Sequence, residues 1–78
     1  MSEVLLLLNS VDKVKEFVSI VAKYEEEMDL VSGRKVIDAK SIMGIFCIDL
    51  SNPITLRIHG RNENAQEIIA AIGAYVVV

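Results

Sequence analysis

The chain has no tryptophan, and only one residue each of cysteine, histidine and proline. A lone cysteine excludes an internal disulfide, and Cys47 has no second cysteine or neighbouring histidine with which to complete a zinc site. Because it lies inside the apolar run "IFCIDL", it is expected to be a buried thiol in a reducing cytoplasm. With a single His and a single Cys, neither a Ser/His/Asp nor a Cys/His arrangement can be assembled, so no independent catalytic activity, metal or cofactor is expected. Positive charge is also scarce. Eight Lys and Arg stand against 11 Asp and Glu, a net charge of -3, which leaves no basic face for direct nucleic-acid binding. Long apolar runs are missing as well: nothing approaches the ~18 to 20 residues of a membrane span. The run "VLLLL" at Val4 to Leu8 follows Glu3 and precedes polar residues, which fits a strand better than a signal-peptide core.

What is present is aliphatic. Hydrophobic residues make up 53% of 78, and the aromatics are only Phe17, Tyr24, Phe46 and Tyr75, so the core must consist mainly of Val, Ile and Leu. A chain of this length forms one small domain and buries only about 60 to 65% of its unfolded surface, so that core has to be dense.

Glu3 to about Asn9 reads as a strand buried on both faces or nearly so, with a helical alternative left open by its four consecutive leucines. Val11, Val14, Phe17, Val18, Val21 and Ala22 then recur at helical spacing, with Ser10 as N-cap and Asp12 in the first turn complementing the helix dipole. In "EMDLVSGRKVIDA", Met28, Leu30 and Val36 alternate with polar residues around Ser32-Gly33, the pattern of a hairpin. Ser41 opens a short helix, kept short by Gly44, from which Ile42, Ile45, Phe46 and Leu50 are candidates to face inward. After the "SNP" turn, Ile54, Leu56 and Ile58 alternate with Thr55, Arg57 and His59 as in a half-buried strand. A last helix starts near Glu63, with Asn62 as cap and Ala65, Ile68, Ile69 and Ile72 as its apolar stripe, before the tail "AYVVV". The order is β-α-β-β-α-β-α in a single domain, residues 1–78.

This order, with "AKY" ending the first helix, "DL..G..V" in the hairpin, "KSIMG" at Lys40 to Gly44 and "IT..I.G..E...A" from Ile54 onward, resembles HPr, the histidine-containing phosphocarrier family of the bacterial sugar phosphotransferase system. The resemblance covers nearly the whole chain. It implies an α+β open-faced β-sandwich, with three helices on one face of a four-stranded antiparallel sheet of order 1-4-2-3.

The family carries phosphate on a histidine at the start of the first helix, within "G-x-H-A-R-P-A". Aligned back from Ala22-Lys23-Tyr24, this chain has Ser10 in the histidine's place, Asp12 in the arginine's and Lys13 in the proline's. A phosphoserine ester lacks the reactive N–P bond of phosphohistidine, and an aspartate repels the phosphate it would need to hold. His59, near the end of a strand antiparallel to the first, is expected at the opposite end of the sheet from Ser10 and to face outward or cap a turn.

The resemblance keeps one phosphorylation site, Ser41. In a branch of the family this serine is modified by an ATP-dependent kinase, and a paralogue class without the carrier histidine acts only in regulation. A phosphate at a helix N-terminus meets free N–H groups, and Lys40 is expected to add a cation beside it. Ile42, Met43 and Phe46 would supply an apolar docking patch. A plain N-cap explains Ser41 equally well, and both roles are compatible. The resemblance therefore implies a cytoplasmic regulatory or adaptor protein, monomer or weak dimer, that docks through its first two helices. Its expected partners are an HPr kinase-like enzyme, a transcription regulator or a phosphotransferase component. A residual phosphocarrier using Ser10 or His59, or the fold reused as an unphosphorylated interaction module, are the alternatives.

Overall fold

The computed structural model describes residues 2–77; residues 1 and 78, which the single-domain reading included, lie outside the described residues. Strands β1 (Ser2–Leu6), β2 (Met28–Ser32), β3 (Lys35–Asp38), β4 (Ile54–Ile58) and β5 (Val76–Val77) form one antiparallel sheet of order β3-β2-β4-β1-β5. Helices α1 (Val11–Val21), α2 (Ile42–Ile45) and α3 (Asn62–Ala71) cover one face, and a 3₁₀ turn at Gly73–Tyr75 leads into β5. This is the α+β, open-faced arrangement implied by the family resemblance, with the order 1-4-2-3 intact and one short strand added beside β1.

β4 is the middle strand, and its alternation survives in full: Ile54, Leu56 and Ile58 are buried, and Thr55 and Arg57 turn to the other face. β1 differs from expectation. Its residues alternate instead of being buried on both sides, and Leu5 is 45% exposed, because no layer covers the second face of the sheet. β5 was invisible in the sequence: Val76 and Val77 pair with Leu6 and Leu5, but two residues are too few to show a period.

The hairpin forms, with its turn one residue later than the sequence places it. Ser32 pairs with Lys35, leaving Gly33 and Arg34 as a two-residue loop, and Gly33 takes the positive φ of 60° that the first position of a II′ turn requires. Val36, expected inside, lies outside and 57% exposed; Ile37 opposite Leu30 takes the inward place. In the turn before β4, Asp49 accepts from the Ser51 hydroxyl at 2.6 Å, from the Ser51 amide at 3.0 Å and from Asn52 at 3.2 Å. These hydrogen bonds, led by that of the Ser51 hydroxyl, hold the Asp49 carboxyl below its usual range.

α1 buries Val14, Phe17 and Val21, while Val11 and Ala22, both expected on that face, are exposed at its ends. Ser10 caps α1 as expected, accepting from the Lys13 amide at 3.1 Å. α3 starts earlier than expected: Asn62 is already inside the helix, and its N-cap Arg61 makes no side-chain cap bond. Its stripe holds, with Ala65, Ile68 and Ile72 in the core and Ile69 packed against it. Among the described residues no polar or charged side chain is buried, and no buried side-chain nitrogen or oxygen lacks a partner.

Tyr75 ties the C-terminal segment to α1. Its ring meets Phe17 edge-on, with centroids 6.5 Å apart, and its hydroxyl donates to Glu16 Oε2 at 3.2 Å. Burial, together with the Glu16 hydrogen bond and charge, raises the Tyr75 hydroxyl above its ordinary value of about 10. The folded state therefore holds this proton more tightly than the unfolded chain does. The contribution is intact below about pH 10 and is lost as pH rises through the raised value. Melting curves between pH 8 and 11.5 should show the wild type losing stability at the alkaline end faster than Tyr75→Phe; equal slopes would refute this.

Candidate functional site

Apart from His59, the residues singled out by the sequence fall into two places. The first is the start of α1, where Ser10 is exposed and its hydroxyl is engaged as the cap. Asp12 lies in the first turn, also exposed, and the ammonium of Lys13 reaches back to Asn9 Oδ1 at 2.9 Å. His59 is elsewhere. Ile58 pairs with Ser2 at the beginning of β1, whereas Ser10 follows its end, so the strand separates the two. His59 Nε2 lies 2.8 Å from Asp29 Oδ2, and the His59 amide donates to the Glu27 carbonyl. The expected separation of His59 from Ser10 is what the register shows.

The second place is α2. Ser41 has extended backbone at the N-cap, and its Oγ accepts from the Gly44 amide at 3.2 Å. Gly44 does more than shorten the helix: a Cβ there would come within 3.2 Å of that same Oγ, so glycine leaves the cap its room. Ser41 is half-buried. Met43, beside it, is the most exposed of the large apolar side chains, at 76%, and Phe46 is 42% exposed.

The inward positions of this segment are taken by Ile45 and Ile48. Ile42 packs against the core instead of standing free, so of the expected docking patch Met43 and Phe46 are the presented part. The same spacing turns Cys47 outward. It is an exposed thiol, contrary to the burial expected of it, because Ile45 and Ile48 occupy the inward side of this short turn.

Lys40 also differs from expectation. Its ammonium donates to the Tyr24 carbonyl beyond the end of α1, and so ties α2's entrance to that helix instead of standing free beside Ser41. A long flexible side chain gives no sign of this in sequence. Asp38 shapes the approach: its carboxylate accepts from the Lys40 amide at 2.9 Å, and its carbonyl from the Ser41 amide at 3.0 Å. A cleft of about 250 Å³ opens next to this loop, lined by Glu27, Met28, Asp29, Asp38 and Lys40. A shallower groove of about 430 Å³ runs along α1 by Lys15, Ser19, Ile20 and Tyr75. Among the described residues, no group of His, Cys, Asp and Glu is placed to hold a metal ion, and no helix is long and apolar enough to cross a membrane.

Replacing Ser41 with alanine removes the acceptor for the Gly44 amide. This should cost about 1 kcal/mol, or roughly 4 to 8 °C in melting temperature for a domain of this size. A change below 1 °C would show that water replaces the cap without loss.

Residues 13–77 match the family model for the phosphotransferase-system HPr component phosphorylation site. The chain belongs to the HPr family. Solved HPr structures agree with it. HPr-C-His from Thermoanaerobacter tengcongensis is 27% identical, with 95% of this chain and 89% of that one covered and a TM-score of 0.78. The phosphocarrier protein HPr from Bacillus anthracis is also 27% identical, with 97% and 94% covered and a TM-score of 0.72. The catabolite repression containing protein Crh of Bacillus subtilis shares the fold, at 21% identity, 94% and 88% coverage and a TM-score of 0.64. A comparison with curated protein sequences returns no match. HPr-family proteins are phosphocarriers of the phosphotransferase system rather than enzymes.

Proposed function

We propose that this HPr-family chain is a regulatory or adaptor protein of the phosphotransferase system that carries no phosphoryl group on histidine, and that Ser41 is its phosphorylation site. The observation that carries this reading is the pair of N-caps. At α1, where the family's carrier would stand, Ser10 is followed by Asp12; at α2, a serine stands beside the exposed Met43 and Phe46. The family match begins at residue 13, beyond Ser10 and Asp12.

The physical contrast favours α2. A phosphate on Ser10 would stand two residues before Asp12, an exposed like charge in the first turn of the same helix. A phosphate on Ser41 has no acidic residue in the first turn of its helix. It would place about two negative charges next to an apolar surface, a combination that an arginine-bearing partner reads. Met43 and Phe46 supply the apolar part of that docking surface, with Ile42 beneath them. A kinase of the HPr kinase type and a transcription regulator or phosphotransferase component are the partners of this reading, in the cytoplasm.

Two incubations test it. With ATP and an HPr kinase, label should appear on Ser41 and vanish in Ser41→Ala. With phosphoenolpyruvate and enzyme I, none should appear. Label from phosphoenolpyruvate would make the chain a carrier and overturn the proposal. Failure of the ATP reaction would remove Ser41 as the site.

A further inference from the structure

We propose that the open face of the sheet is a self-association surface, on which two copies pack sheet to sheet about a two-fold axis running along the row Val36, Val31, Thr55, Leu5 and Val77. The strand register places these residues in one line across all the strands: Val36 opposite Val31, Val31 opposite Thr55, Thr55 opposite Leu5, and Leu5 opposite Val77. All lie on the face away from the helices. Val36 is 57% exposed and Leu5 45%, and Val31, Thr55 and Val77 are half-buried, so all five side chains of the stripe, four of them apolar, meet water in the monomer.

Charge selects both the occupant and the axis. On one side of the stripe the register sets a second row, Asp38, Asp29, Arg57 and Glu3, in which Arg57 and Glu3 neutralise each other at 2.6 Å, Asp29 meets His59 at 2.8 Å, and Asp38 leaves negative charge at the β3 end. On the other side, at the same β3 end, lies the exposed turn with Arg34. A two-fold axis along the stripe lays β3 of one copy over β3 of the other with its direction reversed. Arg34 of each copy then faces the Asp38 and Asp29 of its mate. An axis along the strands would instead set Arg57 over its own image and Asp29 over Glu3, like charge on like. The favoured arrangement is also an aligned sheet sandwich, the ordinary geometry for two twisted sheets face to face, and an isologous contact that closes on itself.

The size of the face sets the strength. Five strands at about 4.8 Å and five residues at about 3.3 Å span roughly 24 by 17 Å, or about 400 Å² in projection per copy. That is below the ~800 Å² per partner of a standard stable interface, so the pairing belongs to the weak, concentration-dependent class.

The test is a dilution series of the intact chain from about 1 mM to about 10 μM, followed by sedimentation and by amide chemical shifts. At the concentrated end the mean mass should rise above the 8.6 kDa of the chain. The shifts should move in Leu5, Val31, Thr55 and Val36. Val36→Lys and Arg34→Glu, both at exposed positions that tolerate substitution, should each weaken association at least tenfold. Val11→Lys, an equally exposed apolar position on the helix layer, should not. A wild type monomeric at 1 mM, or association unchanged in Val36→Lys, would overturn the proposal. Unchanged association in Arg34→Glu would overturn the two-fold arrangement.

Discussion

Phe17→Ala should leave the protein barely folded. The side chain is fully buried under α1, and truncating a buried phenylalanine costs about 3 to 5 kcal/mol, in transfer free energy and in the cavity left behind. A domain of 78 residues at about 0.05 to 0.15 kcal/mol per residue has a total of only about 4 to 12 kcal/mol. The loss is therefore between a quarter and the whole of the stability. Neighbouring volume cannot readily collapse into the gap, because Val14 and Val21 on the same face of α1 are themselves fully buried and the sheet beneath is fixed by its ladder.

The damage should also spread in one direction. Phe17 supplies the ring against which Tyr75 stands edge-on, and Tyr75 precedes β5, whose place beside β1 is further fixed by the bond from the Leu7 amide to the Tyr75 carbonyl. Urea denaturation should show the full loss, and amide exchange at Val76 and Val77 should accelerate more than at β4. Phe17→Leu, which keeps much of the apolar volume, should lose distinctly less. A loss under 1.5 kcal/mol in the alanine variant, with the denaturant slope unchanged, would mean that this core repacks.

Half-burial explains which parts of this fold the sequence discloses. β4 and α1 each place one face in the core and one in water, so "ITLRIH" carries period two and "VDKVKEFVSIV" carries the helical spacing, and both are read correctly. Ser10 and Ser41 are legible as caps because a hydroxyl before an apolar run has few other local uses. Where both neighbours are apolar, the signal fails. "KVID" in β3 offers Val36 and Ile37 equally, and only the pairing of Ile37 with Leu30 decides which one is inside. "VLLLL" fits a strand buried on one face or on both, and the answer depends on a layer that the rest of the chain does not provide.

The candidate site was legible in its backbone positions and not in its long side chains. Nothing local says that Lys40 reaches across to Tyr24, or that Cys47 turns outward while Ile48 turns in. Those outcomes come from how α2 packs against α1, which is tertiary information. The expectations that failed there were all about direction: Phe46 and Cys47 inward, Lys40 toward Ser41; Ile42, offered both as an inward position and for the docking patch, packs against the core.

The second large effect concerns the start of α1. The wild type should take no measurable phosphate from phosphoenolpyruvate and enzyme I, and Ser10→His by itself should remain poor. Histidine supplies the nitrogen nucleophile but removes the hydroxyl that accepts from the Lys13 amide, and Asp12 stays in the first turn. A phosphohistidine carries close to two negative charges. At about 6 Å in water, each pair of unit charges interacts by roughly 0.7 kcal/mol. Turning Asp12 into arginine changes the local charge by two units, so the swing on a dianion is about 3 kcal/mol before screening and about half that at physiological salt. Ser10→His/Asp12→Arg should therefore accept phosphate roughly ten- to a hundredfold faster than Ser10→His alone. Because both positions are exposed, neither change should unfold the domain. Equal rates in the two variants would show that charge at Asp12 does not block carrier chemistry.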